Sequence, residues 1–202
     1  MERLPAAVRI EESGDGHLIT VTPGEEPEEE LVSRLQSERS PLKPGDIVFE
    51  RCPECGLPPE LEDYDFYLAE GVITDDSTGR RMAWPEIDGI DAVFRELEAE
   101  LGEDFARPIL EAQRSQTRSA LGKEEAGRGY PYLRRFFALR GMGNLVRYEV
   151  RDDLLEASIE NARPVLLVAG ILQGIYEVFS DRESSCRYAL FEDGTLEVAV
   201  SA

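Results

Sequence analysis

The sequence predicts an α+β fold: an antiparallel sheet with helices packed on one face, preceded by a small β-rich module. Three observations carry that expectation. Residues 164–179 form an apolar run interrupted only by Gln173 and Glu177, in a chain whose formal net charge is −20, so the rest of the chain must bury this helix. Two segments flanking it alternate apolar and polar residues with the period of half-buried strands. Residues 87–105 instead repeat apolar side chains with a period near 3.6, the stripe of an amphipathic helix. Hairpins and helices segregated in this way build a sheet covered on one face.

The elements follow in chain order. Residues 6–22 alternate on either side of Ser13-Gly14-Asp15-Gly16, which predicts a hairpin. The acidic run 25–30 leads into Leu31, Val32 and Leu35 at helical spacing, with acids where a first helical turn favours them. After the breaker Ser40-Pro41-Leu42-Lys43-Pro44-Gly45, residues 46–50 are expected as a short strand, and 65–69, 71–74 and 80–84 as further short strands. Ile87, Ile90, Val93, Phe94, Leu97, Leu101 and Phe105 predict a helix ending near Gly102. Pro108 fits the first turn of the next helix, whose Arg107, Glu111, Arg114 and Arg118 are expected on a solvated face. A charged loop over 122–129 precedes a helix carrying Tyr132, Leu133, Phe136, Phe137 and Leu139, ended by Gly141-Met142-Gly143-Asn144. Val146, Tyr148 and Val150, then Leu155, Ala157 and Ile159, form one hairpin; residues 186–191 and Leu196, Val198 and Val200 form another around Glu192-Asp193-Gly194.

Composition excludes several functions. With 42 acids against 22 Lys and Arg, the surface is too acidic for general nucleic-acid binding, and an anionic membrane would repel it. The apolar helix is shorter than the roughly 20 residues a bilayer requires. No basic start followed by an apolar run opens the chain, so a cytoplasmic protein is expected. Charge is uneven, with 18 acids and 6 bases in residues 1–70 but 4 acids and 10 bases in 107–151. The basic segment is therefore suited to meet the acidic part of its own chain or of a partner.

The sharpest chemical motif is Cys52-Pro53-Glu54-Cys55-Gly56, the form of a zinc knuckle, in which a tight turn directs two thiolates at one metal. Cys186, His17 or an acid such as Glu54 or Glu60 would complete a four-ligand zinc site, or two chains would share it. A redox role is disfavoured because an irregular Gly56-Leu57-Pro58-Pro59 follows instead of a helix. His17 is the only histidine, which leaves a Ser-His-Asp triad or a histidine-ligated haem without support. No phosphate-binding glycine motif occurs, and carboxylates are too numerous for paired spacing to identify acid-base catalysis. Aromatic residues concentrate in the last third of the chain, where they serve either as core or as the wall of a pocket. Gly170 and Gly174, four apart on one face of the apolar helix, allow a strand or a ligand to approach its backbone.

Residues 130–200 resemble the 4-vinyl reductase domain, in the order helix, Gly141-Met142-Gly143, hairpin, Ala169-Gly170-Ile171-Leu172-Gln173-Gly174-Ile175-Tyr176-Glu177, hairpin. That family is similar in fold to the haem-based nitric oxide sensor domain and the small subunits of the TRAPP tethering complex. The resemblance implies a domain over 86–202 that binds a small apolar or aromatic molecule without turnover, preceded by the β-rich module over 1–85. The expected pocket lies between the 132–140 helix, the 165–179 helix and the sheet, lined by Phe136, Phe137, Gly170, Gly174, Tyr176 and Tyr188. A homodimeric assembly protein using Arg134 and Arg135 as basic surfaces is the alternative, and a reductase is the third reading.

Overall fold

The computed structural model describes residues 6–13, 16–23, 42–76, 79–84, 86–151 and 153–202. The helix expected after the acidic run 25–30 and the side chain of His17 lie outside what is described. The chain divides into two compact units, residues 1–37 and 38–202. The three-stranded sheet therefore groups with the C-terminal part, whereas the sequence reading set its boundary at residue 85. Within the first unit, β1 (Ala6–Ser13) and β2 (Gly16–Pro23) form an antiparallel hairpin in the register Ala6↔Pro23 to Ser13↔Gly16.

The second unit begins with residues 42–58, which adopt no regular element where the sequence predicted a strand over 46–50. Its side chains are committed elsewhere. Asp46 pairs with Arg134, and Phe49 lies under the Arg135 guanidinium, 4.5 Å from ring centre to carbon. Lys43 donates to Asp193 and Thr195, each at 2.6 Å, and exchanges backbone hydrogen bonds with the Asn161 amide. The ammonium of Lys43 holds the Asp193 carboxyl at about 2, well below the usual carboxylate range. A short 3-10 turn (Pro59–Asp63) then leads into β3 (Tyr64–Tyr67), β4 (Val72–Asp75) and β5 (Arg80–Met82), an antiparallel sheet on which Trp84 packs against Tyr64 and Phe66.

Two long helices follow, α1 (Ile87–Leu101) and α2 (Glu103–Ala120). Gly102 separates them, and its carbonyl accepts the Phe105 and Ala106 N–H groups, which starts α2 well before Pro108. Pro108 thus stands inside the helix, where it removes one backbone hydrogen bond, rather than in the first turn. Phe105 belongs to α2 and closes the α1 stripe across the joint, its ring 5.6 Å from Phe94. Part of the expected 122–129 loop is the short turn α3 (Lys123–Ala126), and α4 (Gly129–Leu139) follows.

The remaining elements are β6 (Asn144–Arg151), β7 (Leu154–Glu160), α5 (Val165–Ser180), β8 (Ser185–Leu190) and β9 (Thr195–Ser201). The four strands form one antiparallel sheet in the order β6-β7-β9-β8. The fold class is α+β, as the alternating patterns predict. Leu155, Ala157, Ile159, Leu196, Val198 and Val200 point to one face and are fully buried against α5, while Arg147, Glu156 and Glu197 occupy the other. Gly143 makes the entry to β6 possible: at φ +126° a Cβ there would lie 2.7 Å from Ile159 Cγ2. No described helix is long and apolar enough to cross a membrane.

Candidate functional site

The glycine face of α5 meets neither a strand nor a ligand, because α2 occupies it. A Cβ on Gly170 would stand 2.8 Å from the Leu110 carbonyl oxygen, and one on Gly174 would stand 2.6 Å from Thr117 Cβ and 2.8 Å from the Arg114 carbonyl oxygen. The two backbones are therefore in direct contact. One turn further on, the same face presents Glu177, whose side chain is wholly buried. Arg114 Nη1 donates to both carboxylate oxygens at 2.9 and 2.7 Å, Arg118 lies at 3.2 Å, and the Ser184 N–H and hydroxyl donate at 2.9 and 2.8 Å. Arg114 and Arg118 were expected on a solvated face. They serve instead to neutralise a carboxylate that burial would otherwise make costly.

The space expected for a pocket between α4, α5 and the sheet is filled by the chain's own side chains. Phe137 and Tyr176 are buried to within 1 % of full exposure loss, in a cluster with Leu133, Leu145, Leu172 and Ile175. Phe136 packs against the outside of this cluster, edge-on to Phe137, with the Arg140 guanidinium 3.8 Å from its ring centre. Arg134 and Arg135, the proposed partner surface, pair within the chain with Asp46 and Glu60. Two polar atoms in the core, Tyr176 Oη and Gln173 Oε1, have no hydrogen-bond partner among the described residues, although Gln173 Nε2 donates to the Ser184 carbonyl at 2.8 Å.

A cavity of about 250 Å³ opens instead at the N-terminal end of α5, between α1 and the edge strand β8. Of the six residues expected to contact a ligand, Tyr188 lines it. The α1 helix contributes Asp91, Phe94, Arg95 and Glu98, which lie on one face because their spacings of three, four and seven match the helical repeat. Val165 and Leu166 of α5 and Ala189 and Leu190 of β8 line the rest of it. The walls are apolar, and the polar groups are fixed by one another. Tyr188 donates its hydroxyl proton to Glu98 at 3.1 Å, while Asp91, 5 % exposed, accepts from Arg163 at 2.9 Å and pairs with Arg95 at 3.2 Å. Burial pushes the Tyr188 hydroxyl well above the ordinary tyrosine value, and the Glu98 charge pushes it further, so the phenol stays protonated and remains a donor. The sequence signal that marks this site is polar residues at helical spacing beside the α1 stripe; what they face is not legible from α1 alone.

The knuckle lies apart from this cavity. Cys52 N–H bonds to the Leu57 carbonyl and Gly56 N–H to the Cys52 carbonyl, both at 2.8 Å, which closes the turn. The backbone N–H groups of Cys55 and Glu54 point at the Cys52 sulfur and hold its thiol below the usual range. Among the described residues, no group of three or more His, Cys, Asp and Glu side chains is placed to hold a metal. Cys186 is spent elsewhere: its Sγ faces the Ala169 carbonyl at 4.0 Å, and burial pushes its thiol up to about 12.

No family model and no curated protein matches this chain. Solved structures do. The crystal structure of the phenol-responsive sensory domain of the transcription activator PoxR with phenol aligns over 69 % of this chain and 85 % of that one, at 11 % identity and a TM-score of 0.51. Two H-NOX structures, one from a study of haem distortion in that family and one a Cs H-NOX mutant carrying 4-cyano-L-phenylalanine, align over 60 % and 61 % of this chain and 74 % and 76 % of theirs. Both are 14 % identical, with TM-scores of 0.37 and 0.38. The likeness to the PoxR domain is one of fold: an α+β arrangement shared with a sensory domain.

Proposed function

We propose that this chain binds a small aromatic molecule in the cavity between α1, α5 and β8 and acts as a sensing module without turnover. The observation that carries this reading is the form of the cavity, mostly apolar, with the Tyr188–Glu98 pair and the Asp91–Arg95 ion pair as its polar groups. Its volume of about 250 Å³ exceeds the roughly 150 Å³ that holds a benzene molecule and falls below the range for drug-sized ligands. A single ring with one or two substituents is the matching size. Glu98 accepts from Tyr188 and has further lone pairs for a hydroxyl or amino group on the ring. The fold shared with a phenol-responsive sensory domain, and the resemblance of residues 130–200 to the 4-vinyl reductase domain, favour the same class of ligand.

Thermal-shift and calorimetric titrations with phenol, benzene and benzoate test the reading. Phenol is expected to stabilise the chain, by about 2.7 kcal/mol when present at 100 times its Kd. Benzene should bind more weakly, by about tenfold, for want of the hydrogen bond. Benzoate should be rejected by the Glu98 charge. Glu98→Leu is expected to erase the preference of phenol over benzene. If no single-ring compound shifts the transition at millimolar concentration, the cavity is not a binding site of this kind.

A further inference from the structure

The knuckle has the geometry of a metal clamp and half the ligands of one. Two 2.8 Å backbone hydrogen bonds close the turn, the Cys55 side chain lies within hydrogen-bonding reach of the Cys52 sulfur, and Gly56 completes the turn at φ +73°, where side chains are strained. Cys55 is exposed and Cys52 partly so, which leaves both sulfurs within reach of solvent. Zinc held by thiolates in a structural site takes four ligands in a tetrahedron. The chain as a whole contains three cysteines and one histidine. Among the described residues no Asp or Glu, Glu54 and Glu60 included, joins the two thiols in a group placed to hold a metal. With Cys186 packed beneath α5, the sulfur and nitrogen ligands left are Cys52, Cys55 and His17, one short of four whatever the position of His17. A second copy of the chain supplies the same two thiolates by symmetry, and an isologous twofold contact needs no other residue type.

We propose that Cys52 and Cys55 of two copies of this chain close one shared tetrathiolate zinc site, so that zinc holds the protein as a dimer. The sensing cavity and this clamp involve separate residues, so either assignment stands or falls without the other. The site works against charge, because each chain carries −20. Loading is therefore done at about 0.15 M salt, where the Debye length is about 8 Å.

The test loads the full chain with zinc and measures metal content together with mass by light scattering. The expected result is about one zinc per two chains in a particle of dimer mass that EDTA returns to monomer. Cobalt in place of zinc should show the absorption of a tetrahedral thiolate complex. Cys52→Ser and Cys55→Ser should each lower metal content by about tenfold or more and abolish the dimer. Because each variant alters a solvent-accessible turn and the EDTA arm uses the wild-type chain, a folding failure in one variant leaves the question answerable. His17→Ala should change neither metal content nor mass. One zinc per chain at monomer mass, a dimer indifferent to EDTA, metal lost on His17→Ala, or no zinc retained would each overturn the shared site.

Discussion

Helix α5 has two neighbours of opposite character. Against α2, the absence of side chains at Gly170 and Gly174 draws two backbones into contact and leaves no space. Against α1, at its N-terminal end, Phe94 and Glu98 of α1, Leu166 of α5 and Tyr188 of β8 border a cavity of about 250 Å³. Small residues on a buried helix thus make a seam, and large ones frame the opening. The intuition that glycines mark room for a ligand is reversed here because a neighbouring helix fills the room first.

The seam should be the more fragile of the two. The largest effect is expected from Glu177→Ala, which leaves the Ser184 N–H without its acceptor and the Arg114 guanidinium with the exposed Glu111 as its remaining carboxylate. Because Glu111 still neutralises Arg114, a loss of about 2–3 kcal/mol in urea denaturation is the expected outcome, and a loss under about 1 kcal/mol would show that the clamp does not hold α2 to α5. Gly174→Ala comes next. The new Cβ meets the Arg114 carbonyl at 2.8 Å, and backbone cannot rotate away, so a net cost of about 1–2 kcal/mol is expected despite the better helix propensity of alanine. A stabilised variant would mean that the two backbones have slack.

The sheet beneath α5 adds a pH dependence. Burial raises Tyr148 and Cys186 to about 12 from ordinary values of 10 and 9. Above pH 9 the unfolded chain releases these protons before the folded one does, so stability is full below that pH and declines between 9 and 12. The urea midpoint at pH 11 should fall below that at pH 8, and Cys186→Ala should remove the part of the decline that begins near pH 9. Equal slopes in wild type and variant would exclude the thiol as a cause.

The cavity should tolerate what the seam does not. Val165→Phe inserts a larger side chain into open volume, so stability is expected to stay within about 1 kcal/mol of wild type while phenol binding is lost. A cost as large as that of Gly174→Ala would mean that the two sites are equally tight. The smallest change is expected from Tyr176→Phe. It deletes a buried hydroxyl with no partner among the described residues, so the midpoint should hold or rise slightly. A clear loss would reveal a buried water or other partner on that hydroxyl.

Much of the fold was legible because strands and helices impress their own periods on the chain. Leu155, Ala157 and Ile159 announced a strand, and the run beginning at Pro164 announced a buried helix, without reference to anything distant. Errors fell where a tertiary contact overrode a local signal. Residues 46–50 form no strand because Asp46 and Phe49 are held by the arginines of α4, and Pro108 did not mark a helix start because Gly102 had already provided one.

The candidate site was less legible for a related reason. Tyr188 was identified, but its partner Glu98 stands 90 residues away, and Glu177 stands 63 residues from Arg114. The sequence by itself determined the element types, the inward faces of the sheet, the acidity and the two-thiol turn, all properties of short stretches of chain. Only the tertiary structure decided which face of α5 would be sealed and which would stand open, because empty space belongs to no single residue: it is set by the distance at which two elements stop approaching each other.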